Sequence, residues 1–246
     1  MKIHVLGYWG TYPSAGEATT GFLVETENEK VLLDCGSGVL AQLWKVCSVE
    51  DLSAVVVTHH HHDHTADLGV LGYAVLLARL AGTRTAKLPM YMLEGPSHLM
   101  QDLRGEPLID VNLIDRNSKV NIGELALSFA PTVHPVDCLA VKFSYRGKSF
   151  VFSADSSVCD ELREIATGAD LFLCEASMYD GQEDNAKQAG HLTARQAGAL
   201  AREADVKSLA LTHYPHYGNL DDLVSQASEA FGKQAIRIRT LDVLTV

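Results

Sequence analysis

The residues best suited to chemistry in this chain form one short run that directly follows an apolar segment. Val55–Val57, three β-branched residues, predict a brief strand that is buried on both faces. His59 and His61 lie two residues apart, so an extended backbone points both imidazoles to the same side. Asp63 and His64 follow at the turn into a helix, from where both can reach back towards the same point. Imidazole and carboxylate are the ligands that zinc prefers among divalent metals, so these four residues predict a metal site.

The setting of this run distinguishes it from an expression tag or a solvated row of histidines, which is the simpler explanation. A tag would be terminal and without pattern, whereas this run lies between a strand and a helix and contains an acid. The helix is predicted from Thr65 to Leu80, a stretch that is long and apolar. We therefore interpret the run as functional.

The pattern His-x-His-x-Asp-His after a strand resembles the signature of the metallo-β-lactamase superfamily. The resemblance covers nearly the whole chain and implies an α/β fold, a four-layer αββα sandwich of two mixed sheets with helices outside. It also implies a single domain over residues 1–246. His60 and His62 would be spacers that point away from the metals. Residues 7–16 would form a loop beside the site, with a plain connecting loop as the alternative.

Three further metal ligands are implied by the resemblance, each at the end of a predicted strand. His134 matches the third histidine of the family, and it is held extended because Pro135 follows it. Asp155 matches the carboxylate that bridges both metals, and His213 matches the final ligand. His216 is interpreted as a neighbour of the site and not as a ligand.

The complete site that the resemblance implies is a pair of divalent metal ions held by seven side chains. They are His59, His61 and His134 on one metal, Asp63, His64 and His213 on the other, and Asp155 between them. Two such ions would share a water and lower its pKa towards about 7, which would provide a hydroxide for hydrolysis. Asp63 is expected to act in catalysis by orienting that hydroxide. Zinc is the default metal, with manganese or iron as alternatives.

Two residues outside the ligand set, Glu175 and His191, are further catalytic candidates. The stretches Glu175-Ala176-Ser177 and His191-Leu192-Thr193 resemble elements of the ribonuclease Z-like branch, whose glutamate holds a histidine that protonates the leaving oxygen. A phosphodiester needs this help because an alkoxide leaves poorly without a proton. The alternative is that Glu175 is an ordinary strand-end acid and that His191 only opens a helix, with Thr193 as its cap.

The number of residues between His134 and Asp155 indicates what size of substrate to expect. Members that process transfer RNA usually carry a long arm there, whereas only residues 135–154 are available here and a predicted hairpin occupies them. We therefore expect a phosphodiesterase that acts on a small or cyclic phosphodiester through a dinuclear metal-bound hydroxide. The alternatives are a tRNA 3′-processing endonuclease-like activity, a lactone or thioester hydrolase, and a non-catalytic metal-binding protein.

Composition is consistent with a small substrate. The 246 residues carry a formal net charge of −11 and a pI near 5.4, which opposes docking on long nucleic acids or anionic membranes. No run approaches the ~20 apolar residues of a membrane span, and no apolar secretory segment precedes the first strand. Five scattered cysteines without a C-x-x-C pair suit a reducing compartment, so we expect a soluble cytoplasmic protein.

Other segments carry predictions about position and assembly. Asp34, at a strand end beside glycines, either orients a metal-bound histidine or caps the helix near Val39, and the resemblance favours the first role. The apolar helix from Leu68 to Leu80 indicates a surface for self-association, so a homodimer is a candidate assembly, with burial inside one chain as the alternative. Residues 180–189 are polar and are expected to be mobile, whereas residues 104–117 show little pattern.

Overall fold

The computed structural model describes residues 1–105 and 108–246. The candidate residues lie at or near the ends of its strands and helices. The strands are β1 (Lys2–Gly7), β2 (Gly21–Glu25), β3 (Lys30–Leu33), β4 (Ala54–Val57), β5 (Leu88–Met92), β6 (Ile109–Leu113), β7 (Lys119–Ile122), β8 (Leu125–Pro131), β9 (Leu139–Tyr145), β10 (Lys148–Phe152), β11 (Leu171–Glu175), β12 (Ser208–Thr212), β13 (Ile236–Arg237) and β14 (Val243–Thr245). The helices are α1 (Val39–Leu43), α2 (His62–Thr65), α3 (Leu68–Leu80), α4 (Ser97–Gly105), α5 (Asp160–Ala166), α6 (Glu183–Ala189), α7 (Ala194–Glu203) and α8 (Leu220–Phe231).

The first sheet is mixed and has the strand order β14-β1-β2-β3-β4-β5-β6. Its strands from β14 to β3 pair antiparallel, whereas β3 to β6 pair parallel. The predicted strand at Val55–Val57 is confirmed as part of β4, and every residue of β4 is buried. An all-apolar strand of this kind suits the middle of a parallel region, where both faces are covered. The carboxyl end of β4 leads directly to His59.

The second sheet is also mixed and has the order β13-β12-β11-β10-β9-β8-β7. Its strands β7 to β10 pair antiparallel, and β10 to β13 pair parallel. The predicted hairpin is confirmed by β9 and β10, which join across Arg146-Gly147 with positive φ at both residues. Because β10, β11 and β12 are parallel, their carboxyl ends meet at one edge. Asp155, Glu175 and His213 lie at those ends.

The predicted helix from Thr65 to Leu80 is divided into α2 and α3, which corrects that expectation. The interruption lies at Asp67, whose N–H donates to the carbonyl oxygen of Cys35 at 3.0 Å. Its carboxylate accepts the N–H of Leu40 at 3.1 Å. These bonds hold residue 67 against the segment after β3 and interrupt the regular hydrogen bonds of the helix. A new helix therefore begins at Leu68. An apolar pattern alone does not reveal such a long-range bond.

Two other stretches contain elements that their sequence does not predict. Residues 180–189, expected to be mobile, contain the helix α6, which ends at Gly190 in the left-handed conformation. Only Ala186 is buried in α6, so its sequence lacks the apolar periodicity that predicts a helix. Residues 104–117, which show little pattern, contain the end of α4 and the strand β6; residues 106 and 107 within them lie outside the described part of the chain.

Contacts divide the chain into two compact units. Unit 1 comprises residues 1–7, 11–114 and 240–245 and contains the first sheet. Unit 2 comprises residues 8–10, 115–239 and 246 and contains the second sheet. The single domain over residues 1–246 stays a prediction. Within the ranges 1–105 and 108–246, none of the helices combines the length and the apolar character that crossing a membrane requires.

Candidate metal centre and proton-donor pair

The loop after β4 packs three imidazoles together within unit 1. The ring centroids of His59 and His61 lie 4.8 Å apart, and those of His59 and His64 lie 4.1 Å apart. His59 and His61 each offer a potential ligand nitrogen, and these atoms lie within 4.8 Å of each other. The turn into α2 brings Asp63 beside His64, with 3.9 Å between Asp63 Oδ2 and His64 Nε2. The four residues predicted from the local sequence are therefore neighbours in space.

Asp34 orients this loop through hydrogen bonds to Thr58 and His64. Its Oδ2 atom lies 2.7 Å from His64 Nδ1, and its two oxygens accept the N–H of Thr58 at 2.8 Å and the hydroxyl of Thr58 at 2.9 Å. Asp34 is fully buried and has a positive φ of 56°. A residue is held in that conformation only when its surroundings require it. Helix α1 has Gly38 at its N-cap position, so of the two roles considered for Asp34, the contacts match orientation of a histidine.

Asp63 is fixed by backbone groups of unit 1. The N–H of Thr11 donates to Asp63 Oδ2 at 2.8 Å, which makes the loop of residues 7–16 a direct contact of a candidate catalytic residue. Gly36 approaches from another side, and a Cβ atom there would lie 2.0 Å from the carbonyl oxygen of Asp63. Only glycine fits that position, because any side chain would displace the loop.

His134 lies near Asp155 within unit 2. The Nδ1 atom of His134 lies 2.9 Å from the carbonyl oxygen of Gly190, to which it donates, and the Nε2 atom lies 3.9 Å from Asp155 Oδ2. Burial lowers the pKa of His134, although Asp155 acts in the opposite direction. The neutral imidazole is the form that binds metals. Gly190 is needed for this approach, since a Cβ atom there would lie 2.9 Å from His134 Nδ1.

His213 adopts a strained backbone conformation directly after β12, with φ of 55°. Its Nε2 atom lies 3.3 Å from Asp155 Oδ2, and its Nδ1 atom lies 2.8 Å from the hydroxyl oxygen of Ser177. Gly10 packs on the imidazole, where a Cβ atom would lie 2.7 Å from two ring atoms. The strain at His213 is typical of functional positions, because surrounding contacts must maintain it.

Glu175 and His191 form a hydrogen-bonded pair in unit 2. Glu175 is fully buried, and its Oε1 atom lies 3.0 Å from His191 Nδ1. Two backbone N–H groups also donate to the carboxylate, from Ser156 at 2.7 Å and from Leu192 at 3.2 Å. With its carboxylate accepting at both oxygens, Glu175 is the acceptor of the shared bond and His191 Nδ1 is the donor.

Ser177 joins this pair to His213. Its hydroxyl lies 2.6 Å from Glu175 Oε2, which is the shortest of its contacts and takes the single hydroxyl proton. The oxygen of Ser177 therefore accepts from His213 Nδ1, which leaves His213 Nε2 with its lone pair. The sequence gives no sign of the roles of Thr58, Ser177, Gly10 and Gly190, since each of them contacts at least one residue that is distant along the chain.

In each unit, the chemistry and the spacing of the histidines and carboxylates suit a divalent metal ion. Each of His59, His64, His134 and His213 has its Nδ1 atom at a protein oxygen, at distances between 2.7 and 3.1 Å. Partners at Nδ1 fix the tautomer in which Nε2 is the ligand atom, an arrangement typical of metal-binding histidines. The Nε2 to carboxylate distances of 3.3 to 3.9 Å fit two ligands that each lie ~2.0–2.2 Å from one ion.

The remaining histidines have other surroundings. His216 stacks on Trp9 with ring centroids 4.5 Å apart, and no candidate metal cluster among the described residues includes it. His60, His62 and His98 line a cavity of about 560 Å³ in unit 1, together with the helix residue Tyr73. His60 and His62 were expected to be spacers, and the structure places both at the wall of this cavity.

Comparison with known proteins defines the class. The model of the β-lactamase superfamily domain matches residues 29–214. The probable metallo-hydrolase YhfI of Bacillus subtilis (strain 168) is 35% identical over 231 residues, which cover 94% of each chain. The crystal structure of the metallo-β-lactamase fold protein YhfI superposes with a TM-score of 0.95 at 32% identity, covering 99% of this chain and 98% of YhfI. The chain therefore belongs to the metallo-β-lactamase superfamily, and the predicted fold class is confirmed.

More distant relatives indicate the branch. Ribonuclease Z of Nocardia farcinica is 26% identical over 296 residues, covering 96% of this chain and 94% of that enzyme. A diphosphatase from the PhnP family has a TM-score of 0.77 at 16% identity, covering 100% of this chain and 97% of the diphosphatase, a similarity of fold alone. The chain is a metallo-hydrolase with relatives in the ribonuclease Z group, and this predicted resemblance is confirmed.

Proposed function

We propose that this metallo-hydrolase is a phosphodiesterase that acts on a small or cyclic phosphodiester. The observation that carries the proposal is the Glu175–His191 pair, because a proton donor matters most when the leaving group is an alkoxide. Glu175, His191 and His213 each offer a nitrogen or oxygen atom within 4.8 Å of the others, so the pair lies beside a candidate metal ligand. An ordinary strand-end acid and a helix-start histidine would not require this hydrogen bond between a fully buried carboxylate and an imidazole.

The metal complement follows from the donor set and from the family. We propose two divalent ions, with zinc as the first candidate and manganese or iron as alternatives. The ligands would be His59, His61, Asp63, His64, His134, Asp155 and His213. When bound, such ions would activate water as a nucleophile and neutralise charge on the phosphoryl oxygens.

The residues of the chain have separate roles in this reaction. Hydrolysis joins the oxygen of water to phosphorus and breaks the bond from phosphorus to the leaving oxygen. His191 Nε2 gives its proton to that oxygen. The attacking water releases one proton to the solvent, and His191 Nε2 takes one proton back from the solvent, so the charges balance over the cycle. Glu175 keeps His191 oriented and stabilises its charged form. Asp63, which the N–H of Thr11 holds at one oxygen, orients the attacking water.

The segment between His134 and Asp155 supports a small substrate. The structure fills it with the hairpin of β9 and β10, so it contains no inserted arm of the kind that tRNA-processing members carry. The net charge of −11 also opposes a long polyanion. Similarity to ribonuclease Z keeps tRNA 3′ processing as the second candidate. A lactone or thioester hydrolase is the third, since the same ligands would serve a carbonyl substrate.

Hydrolysis of bis(p-nitrophenyl) phosphate by the metal-loaded protein tests the proposal. We expect turnover that a chelator abolishes and that zinc or manganese restores. Failure to cleave this diester at full metal occupancy, while a lactone, a thioester or a precursor tRNA is cleaved, would reject the phosphodiesterase in favour of the corresponding alternative.

The role of His191 is tested with leaving groups of different basicity. We expect His191→Ala to lower kcat by about 10²–10⁴-fold for an alkyl leaving group and much less for p-nitrophenolate, which leaves without a proton. His4→Ala is a matched control, because His4 also pairs with a glutamate, Glu25, at 2.8 Å. Equal losses with both leaving groups, or loss of metal in the variant, would contradict proton donation by His191.

A further inference from the structure

Residues 8–10 contact the segment that carries His213, and both stretches belong to unit 2. The N–H of Gly10 donates to the carbonyl oxygen of Tyr214 at 3.2 Å, and the N–H of Tyr214 donates to the carbonyl oxygen of Tyr8 at 3.1 Å. Trp9 and Tyr214 are therefore paired in a short parallel β-bridge. The residue that directly follows His213 is thus bonded at both of its backbone polar groups.

His213 needs this support because its backbone is strained. A φ of 55° is costly for a residue with a side chain and persists only where surrounding contacts maintain it. The two bonds of Tyr214 fix the chain on the carboxyl side of His213. Gly10 also packs on the imidazole, where a Cβ atom would lie 2.7 Å from two ring atoms. Residues 8–10 therefore hold both the backbone and the ring of His213.

Four aromatic rings join the same two segments through their side chains, and we refer to them as the aromatic row. The fully buried ring of Tyr214 meets Tyr8 nearly edge-on, with centroids 5.5 Å apart and 71° between the ring planes. Tyr8 contacts Trp9 at 5.2 Å, and Trp9 stacks on His216 at 4.5 Å with 12° between the planes. These distances lie in the range of favourable aromatic pairs, ~4.5–7 Å. The Trp9–His216 stack is therefore one end of a continuous contact whose other end adjoins His213.

His216 contacts Trp9 through the face of its ring. No candidate metal cluster within residues 1–105 and 108–246 includes His216. A metal ligand acts through a nitrogen atom, whereas a stacking partner acts through its flat surface. A phenyl ring keeps the flat surface and lacks the nitrogens, so it separates the two roles.

We propose that Trp9 and His216 are positioning residues for His213 and that they act on one metal ion of the proposed pair. Their stack keeps residues 8–10 in place, so that His213 Nε2 stays 3.3 Å from Asp155 Oδ2. His213 is a proposed ligand of one ion only, so the other ion does not depend on this stack. The inference rests on the proposed pair of metal ions and is independent of which ester the protein cleaves.

Stepwise removal of zinc from the full-length, metal-loaded protein by a competing chelator tests the proposal, since it measures the Kd of each bound equivalent. We expect Trp9→Ala and His216→Ala each to raise the Kd of one equivalent by about 10–100-fold, as the loss of a group that orients a ligand does. The Kd of the other equivalent should stay at its wild-type value. His216→Phe keeps the stacking surface and should keep both Kd values.

Trp44→Ala is the matched control for Trp9→Ala. Trp44 is the other of the two tryptophans in the chain, and it lies exposed at the end of α1 in unit 1. We expect both Kd values of Trp44→Ala to equal those of the wild type. If Trp9→Ala does not fold, the two His216 variants decide the question by themselves.

Four results would contradict the proposal, and they have different meanings. Unchanged Kd values in Trp9→Ala and His216→Ala would reject the positioning role and leave the pair of metal ions standing. A parallel rise in both Kd values would show a general effect on the fold and not on one ion. A loss of affinity in His216→Phe as large as in His216→Ala would make His216 a metal ligand. A wild type that binds fewer than two equivalents would reject the pair of metal ions and the positioning role together.

Discussion

The two units of the molecule contain the same hydrogen-bond arrangement, in which a buried carboxylate, a hydroxyl and an imidazole are joined, but the histidines differ. In unit 1, the buried carboxylate of Asp34 accepts the hydroxyl proton of Thr58, whose oxygen lies 3.1 Å from His59 Nδ1. In unit 2, the buried carboxylate of Glu175 accepts the hydroxyl proton of Ser177, whose oxygen lies 2.8 Å from His213 Nδ1. In both units a carboxylate, a hydroxyl and an imidazole thus fix one tautomer.

The difference lies in the second histidine that each carboxylate holds. Asp34 binds His64, a proposed metal ligand, whereas Glu175 binds His191, the proposed proton donor. A buried carboxylate next to an imidazole serves either role, because it fixes the ring and makes the second ring nitrogen more basic. The role of the histidine therefore depends on what its Nε2 atom meets.

The largest effect is expected from Glu175→Gln in unit 2. The amide keeps the shape but removes the charge that holds the protonated form of His191, so we expect kcat with an alkyl leaving group to fall about 10²–10³-fold. Metal content, measured by elemental analysis, should stay at the wild-type level. A variant that loses its metal together with its activity would show that Glu175 serves the ligands, as Asp34 does.

Asp34→Asn in unit 1 should have the complementary effect. Loss of the carboxylate partner of His64 typically costs about 10–100-fold in metal affinity, which competition with a chelator measures. At saturating metal, we expect turnover to recover to within about tenfold of wild type. Unchanged metal affinity with a lasting loss of turnover would reverse the roles that the comparison assigns to the two carboxylates.

Removal of each hydroxyl tests the hydrogen bond between hydroxyl and imidazole that both units share. We expect Thr58→Val and Ser177→Ala to weaken metal binding by up to about tenfold each, since His59 and His213 then lose the acceptor that fixes their tautomer. Ser177→Thr should restore binding because it returns the hydroxyl. Ser157→Ala is the control, as the hydroxyl of Ser157 contacts the carbonyl oxygen of Lys187 instead. Identical affinities in Ser177→Ala and Ser157→Ala would refute the role of Ser177.

The smallest effect on turnover is expected from a surface that belongs to unit 1. Helix α3 exposes an apolar stripe with the spacing of one helix face, formed by Val70, Tyr73, Leu77 and Leu80 at 57%, 63%, 65% and 75% exposure. We expect the protein to be a homodimer through this stripe, and we expect Leu77→Glu to give the mass of one chain in light scattering with kcat unchanged. Leu241→Glu, at 43% exposure, is the control. A monomeric wild type would contradict self-association.

Local patterns in the sequence were sufficient for some parts of the fold and insufficient for others. The apolar segment of β4, the hairpin of β9 and β10, and the helix cap at Thr193 are confirmed, because each depends on neighbours in the chain. The division of the helix at Asp67 was not predicted, since it depends on bonds to residues near Cys35. Helix α6 was missed because it has almost no buried face.

The sequence by itself determined the ligand run from His59 to His64 and, through the family resemblance, the identities of the more distant candidates. A run of six residues needs only one strand end and one turn to bring its side chains together. Only the tertiary structure decided what each histidine touches: Gly190 at His134, Ser177 and Gly10 at His213, and Glu175 at His191. The reason is physical, because the tautomer and the orientation of an imidazole are set by partners at its second nitrogen, and folding brings those partners from distant parts of the chain.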